Sequence, residues 1–205
     1  MNEGVVLRGA SMGIQQAVRM NGEAFLAWEG EQQEKHEYFR GEVFAMVGAS
    51  DRHVTIALNV ASALRAHLRG GPCRSFISDM KLRVEAADAF FYPDVMVTCD
   101  ETDRSRDLYK TAPVLVVEVL SPGTEAFDRG AKFAAYRLLP SLREYLLIDP
   151  ATGALDLYRR DPENHWVLHP HGPHEAVELQ SVGLNLTGAR IFEDAPWGPS
   201  SNESA

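Results

Sequence analysis

Apolar residues along this chain recur at a spacing of two in some stretches and of three to four in others, and the alternation predicts a mixed order of strands and helices. Residues 23–29, with Phe25, Leu26 and Trp28, predict a short helix. Residues 36–39 and 43–47 flank Arg40-Gly41-Glu42 and predict a β-hairpin. Ser50-Asp51 offers N-cap chemistry for a helix of about four turns. In that helix Ile56, Val60, Ala63, Leu64 and Leu68 fall on one face, and Gly70-Gly71-Pro72 forms the stop. Residues 74–84 and 90–98 read as two strands. The stretch 112–122, APVLVVEVLSP, is short, β-branched and bounded by prolines, as a strand buried on both faces requires. Phe127, Ala131, Ala134, Ala135 and Leu138 then trace an apolar helical face that ends near Pro140. A strand at 144–148, turned by Asp149-Pro150, leads to a second hairpin at 155–159 and 165–168. Strand, strand, strand, helix, strand implies a mixed sheet with helices packed on it.

The ends differ from the middle. Residues 1–20 read as a mobile leader and 196–205 as a disordered tail, which leaves one domain at 21–195. No apolar run approaches the roughly 20 residues of a membrane span, and no basic stretch precedes an apolar block as in a secretory signal. Cys73 and Cys99 are too few for a disulfide framework or a four-thiolate zinc site, so the expected compartment is the cytoplasm. The formal charge of −9, from 20 basic and 29 acidic residues, opposes strong non-specific binding to nucleic acid, which rests on basic surface.

Chemistry enters through acids in apolar company. Glu118 has only apolar neighbours for four positions upstream and two downstream. A buried carboxylate there costs several kcal/mol unless it is paired, protonated or bound to a metal. Alternation points it with Val116 and Leu120, and a buried salt bridge serves it as well as a ligand does. Asp94 interrupts a second apolar stretch, FFYPDVMV; alone, Pro93-Asp94 would be a strand-entry turn. Acids on two core strands can meet across neighbouring strands and share one oxygen-preferring divalent cation, Mg²⁺ or Mn²⁺. Lys132, on the helix after the Glu118 strand and at the flank of its apolar stripe, could reach back to orient water and balance phosphate charge; otherwise it is a solvent-facing lysine. Tyr136 lies one turn beyond it. Glu42, His53, Asp79 and Tyr136 are accessory candidates, with hairpin and helix-start chemistry as the plain alternative for Glu42 and His53. Asp79-Met80-Lys81 spells a competing D-x-K. His165, His169, His171 and His174 match no tight metal-ligand spacing.

The ordered set YFRGE (38–42), His53, YPDV (92–95), VEVLSPGT (117–124), Asp128, Lys132, Tyr136 and EYLLIDP (144–150) resembles the Uma-two family, over about residues 23–192. The resemblance implies an α/β PD-(D/E)XK restriction endonuclease-like fold, with a mixed central sheet, flanking helices and added terminal hairpins. It makes Asp94 the acid of the "PD" element and Glu118 that of the "(D/E)XK" element. Leu120 stands where the motif lysine would be, and Lys132, from the next helix, matches the family's displaced lysine. The implied function is a Mg²⁺-dependent endonuclease acting on nucleic acid, DNA before RNA, as a homodimer. The rival is a catalytically inactive interaction or regulatory protein on the same fold, favoured by the acidic charge and the missing in-strand lysine.

Overall fold

The computed structural model describes residues 20–198; the expected leader, apart from Met20, and the tail beyond residue 198 lie outside them. The chain opens with α1 (Gly22–Glu29), then β1 (His36–Phe39) and β2 (Glu42–Ala45). Their hairpin turns through Arg40 and Gly41, both at positive φ, as a two-residue turn between twisted strands demands. The long helix α2 (Asp51–His67) is capped by the Ser50 side chain, which accepts from the His53 N–H at 3.3 Å.

The two strands expected at 74–84 and 90–98 are each divided. β3 (Arg74–Ile77) and β4 (Lys81–Val84) flank a tight turn, and β5 (Ala89–Phe91) and β6 (Val95–Thr98) flank Tyr92-Pro93-Asp94. The break has a purpose: β3 and β6 pair in one sheet, while β4 and β5 pair in another. Pro93 lacks an N–H and cannot continue a ladder. Asp94 therefore sits where the chain crosses from sheet to sheet.

The rest follows as α3 (Glu101–Arg104), β7 (Tyr109–Lys110), β8 (Pro113–Val119), α4 (Glu125–Phe127), a π-helical turn (Asp128–Lys132), α5 (Phe133–Tyr136), β9 (Glu144–Ile148), β10 (Leu155–Arg160), β11 (Trp166–His171), β12 (Ala176–Leu179), β13 (Leu184–Thr187) and α6 (Gly188–Ile191). The hairpin β12–β13 was not foreseen: its buried apolar residues are only Val177, Leu179 and Leu186. The central sheet has the order β11-β10-β9-β8-β6-β3, and the second sheet the order β2-β1-β5-β4-β7. In the central sheet β8 and β9 are parallel and the other pairs antiparallel, so the sheet is mixed, as expected.

Two cores lie on opposite faces of the central sheet. On one, Ile56, Val60 and Leu64 of α2 pack with Val95, Val117, Leu146 and the β12–β13 hairpin. On the other, Met96, Val116, Leu120 and Leu147 meet α5 and the second sheet through Tyr136, Phe133 and Phe91. Cys73 and Cys99 form one disulfide, at the end of the β3–β6 pair. Among the described residues no helix is long and apolar enough to cross a membrane.

The helical stripe expected from Phe127 to Leu138 is corrected. Ala131, Ala134 and Leu138 face solvent, while Asp128, Lys132, Phe133, Ala135, Tyr136 and Leu139 are buried. The π turn inserts an extra residue per turn and rotates the following face. Tyr145 stabilises it by donating its hydroxyl to the Asp128 carbonyl at 3.1 Å.

Glu144, buried at the start of β9, anchors the outer hairpin. Its carboxylate accepts from Arg159 Nε at 2.8 Å, from the N–H groups of Gln180 and Ser181 at 3.1 and 2.8 Å, and from the Ser181 hydroxyl at 2.5 Å. Removing it leaves Arg159 and two N–H groups without their acceptor. Glu144→Ala is expected to lose roughly 2–5 kcal/mol of unfolding free energy in denaturant titration; an unchanged midpoint would show that these donors find other acceptors.

Candidate active site

Register brings the two acids together. Val95 pairs with Val117 across β6 and β8, so the next positions, Asp94 and Glu118, are cross-strand neighbours. The Asp94 N–H donates to Glu118 Oε2 at 3.2 Å, and the Val119 N–H donates to Asp94 Oδ2 at 2.8 Å. Asp94 thus closes the ladder at the point where Pro93 opened it. From the first turn of α2, His53 brings Nε2 to within 3.0 Å of Asp94 Oδ1.

Lys132 is not at the flank of its helix but inside. Turned inward by the π segment, its ammonium lies 3.0 Å from Glu118 Oε1, 3.0 Å from Glu37 Oε1 and 3.5 Å from Asp128 Oδ1. Tyr136, one turn on, donates its hydroxyl to Glu118 Oε1 at 2.9 Å. Asp94, Glu118, Lys132, His53 and Tyr136 therefore converge. Glu42 does not: it is exposed on β2, and the acid that the hairpin contributes is Glu37, two residues before Phe39 on β1. Asp79 does not either; its side chain is 75% exposed beside Lys35, at 2.9 Å.

Glu37 and Asp128 carry parts of the site that the sequence reading did not assign. Glu37 reads as a hairpin residue between His36 and Tyr38, and only the pairing of β1 with β5 places it over the sheet junction, where it also accepts the Tyr92 N–H at 3.0 Å. Asp128 could have been found from its spacing, four residues before Lys132.

Four carboxylates cluster here with one ammonium and one imidazole, and none of the six side chains is more than 16% exposed. Burial pushes the Glu118 carboxyl well above its ordinary value of 4.5; Lys132 pulls it back, but Asp128, Asp94 and Glu37 push the same way as burial. Burial likewise raises Asp128. Burial alone would depress the Lys132 ammonium, yet Glu118, Glu37 and Asp128 outweigh it and hold the group above 10.5. Asp128 Oδ1 is buried and no donor completes a hydrogen bond to it, and His53 Nδ1 is likewise unpartnered.

This donor set fits a divalent cation of modest protein ligation. Glu118 Oε1 is saturated by Lys132 and Tyr136, but Glu118 Oε2 and both Asp94 oxygens each accept one bond where a carboxylate oxygen can accept two. Among the described residues no three His, Cys, Asp or Glu side chains close on one point as ligands. Two carboxylates suffice for Mg²⁺, which commonly takes one or two and fills the remainder with water and substrate phosphate. The surplus negative charge favours any cation that arrives.

Comparison with known proteins agrees with this architecture. Residues 23–189 match the family model Uma2, described as "Putative restriction endonuclease". The chain is 41% identical over 174 residues to the uncharacterised protein slr1290 of Synechocystis sp. (strain ATCC 27184 / PCC 6803 / Kazusa), covering 85% of this chain and 92% of that one. It is 36% identical over 147 residues to sll1609 of the same organism, covering 70% and 82%. A crystal structure from Anabaena variabilis ATCC 29413, titled as a putative nuclease belonging to DUF820, superposes with a TM-score of 0.69 at 19% identity, over 84% of this chain and 97% of that one. The fold is restriction endonuclease-like.

A carboxyl with a raised folded-state pKa binds its proton more tightly folded than unfolded, so the stability it contributes is present below about pH 4.5 and is lost as pH rises through the folded value. In metal-free buffer Glu118→Gln is expected to be more stable than the wild type near neutral pH, because the raised carboxyl loses its stabilising proton there. The gap should close as pH falls toward 4.5. Thermal unfolding across pH reads this directly; a variant less stable at neutral pH would mean that the Lys132 pairing outweighs the burial of the charge.

Proposed function

The chain belongs to the Uma2 family, and from that premise together with the acid–lysine pocket we propose that it is a divalent-metal-dependent nuclease that hydrolyses phosphodiester bonds in nucleic acid, DNA in the first instance. The observation that carries this reading is the cross-strand pair Asp94–Glu118 with Lys132 at 3.0 Å from Glu118. By the family resemblance these three side chains would stand for the "PD" acid, the "(D/E)XK" acid and the displaced lysine, which supports the reading. In this reading Asp94 and Glu118 hold Mg²⁺ or Mn²⁺, which would polarise the scissile phosphate and neutralise charge that builds on it.

The protein's own groups have distinct duties. Lys132 carries a fixed positive charge and three donors, of which Glu118 and Glu37 take two, so the third can orient an attacking water or a phosphate oxygen. Tyr136 fixes the Glu118 rotamer by its hydrogen bond. His53 holds Asp94 through Nε2, and its free Nδ1 gives it a second position at which to carry a proton. Burial of the group keeps bulk water from competing with these contacts. The same reading takes residues 21–195 as one domain, and keeps the expectations of a homodimer and a cytoplasmic setting.

A second reading has its own support: Glu118 Oε1 is already satisfied by Lys132 and Tyr136, so the cluster can stand as a closed structural network on an inactive nuclease fold. Calorimetry with Mn²⁺ separates the two. The wild type is expected to bind about one ion and to cleave an oligonucleotide, with Asp94→Ala and Glu118→Ala losing both, as a two-carboxylate site requires. Lys132→Met should keep the ion but lose cleavage by roughly 100-fold or more. Absence of Mn²⁺ binding, with and without an oligonucleotide, would leave the inactive reading.

A further inference from the structure

The β1–β2 hairpin carries an aromatic surface that neither the packing nor the carboxylate chemistry explains. Glu37 pairs with Phe44, and Phe39 with Glu42, so these four side chains share one face of the hairpin. Phe44 is 45% exposed although it stands directly opposite the glutamate that touches Lys132. Its ring centroid lies 6.4 Å from that of Phe127 on α4, which leads into the π turn bearing Asp128 and Lys132. Phe127 in turn meets Phe39 and Phe91, each at 6.1 Å, and Phe91 meets Tyr136 at 5.4 Å. An unbroken run of rings thus leads from solvent at Phe44 to the tyrosine that holds Glu118.

Resting on the nuclease reading, we propose that Phe44, backed by Phe127, is a stacking platform for an unpaired base of the nucleic-acid substrate, beside the Glu37–Lys132 end of the cluster. Its chemistry selects a base rather than a phosphate. Glu42 is exposed on the same face and disfavours a phosphate beside the ring, while the faces of bases stack on aromatic rings irrespective of sequence. Arg40, with its guanidinium 4.9 Å from the Phe39 ring, extends the platform with a second planar group. A base inside an intact duplex is already stacked on its neighbours and gains little from the platform. The substrate class it favours is therefore single-stranded, gapped or frayed nucleic acid.

The test uses the full chain and a phosphorothioate-linked, cleavage-resistant single strand carrying 2-aminopurine, with a fully paired duplex of the same sequence beside it. Phe44→Ala is expected to weaken binding of the single strand by roughly 5- to 50-fold and to lose the quenching of 2-aminopurine, and Phe44→Trp to restore both. Duplex binding should barely change, and Leu168→Ala, which trims an exposed apolar residue on β11, should alter neither. If Phe44→Ala binds the single strand like the wild type, the platform is overturned while Mn²⁺ binding and cleavage still stand for the nuclease reading. If Phe44→Ala instead converts a dimer to a monomer in sedimentation with strand binding intact, the face is a contact between copies of this chain and the platform is likewise overturned. If the wild type binds neither strand, duplex nor Mn²⁺, the nuclease reading falls and takes the platform with it.

Discussion

Glu118 and Lys132 are buried together with too much negative charge around them, and much of the architecture reads as a means of holding them there. A glutamate on a central strand of an apolar sheet requires a cation, and the nearest available one lies on the following helix. A regular helix would present Ala131 and Ala134 to the sheet. The π turn at Asp128–Lys132 gives up regular hydrogen bonding so that Lys132 and Tyr136 arrive over Glu118 in consecutive turns. Tyr145 donates to the carbonyl of Asp128 in that turn, and it comes from β9, the parallel neighbour of β8. Strand order, helix irregularity and ion pair are one arrangement.

The contrast between Glu118 and Glu144 shows what kind of arrangement it is. Both are buried glutamates on adjacent parallel strands, at opposite ends and on opposite faces. Glu144 meets four donors and no competing acid, the pattern of a residue that exists to tie elements together. Glu118 meets an ammonium that it shares with Glu37 and Asp128, beside a third carboxylate at Asp94. A structural site has no reason to accumulate like charges at such cost. Surplus negative charge of this sort is relieved when a cation binds among the carboxylates.

Much of this was legible in the sequence. The lone acid in VLVVEVL marked Glu118, because a buried strand position tolerates few polar residues and each needs a reason. Alternation gave the face it shares with Val116 and Leu120. What stayed hidden depended on geometry that no local pattern encodes. The division of 74–84 and 90–98 between two sheets is a matter of pairing partners, not of propensity, since each half is as good a strand as the whole. The burial of Lys132 depended on a single π turn, which shifts phase without any distinctive residue type. Glu37 looked like an ordinary hairpin residue because its partner, Lys132, lies 95 positions away on a helix whose phase was misread.

The acidic composition, which weighs against a nuclease at first reading, takes a different meaning beside the site. A net charge of −9 with four carboxylates at the site weighs against counterion release along a basic groove. Under the proposed nuclease reading, attraction to a polyanion would come from local terms: a cation between Asp94 and Glu118, the third donor of Lys132, and contacts to bases that carry no charge. The first two act only on a phosphate already in place, so something must bring the strand there. An exposed ring at the rim, joined through Phe127 and Phe91 to the tyrosine on Glu118, supplies a short-ranged, uncharged attraction at the right spot. On the stacking proposal, the acidic composition would act as selection, discouraging lengths of intact duplex in favour of strands whose bases are free to stack.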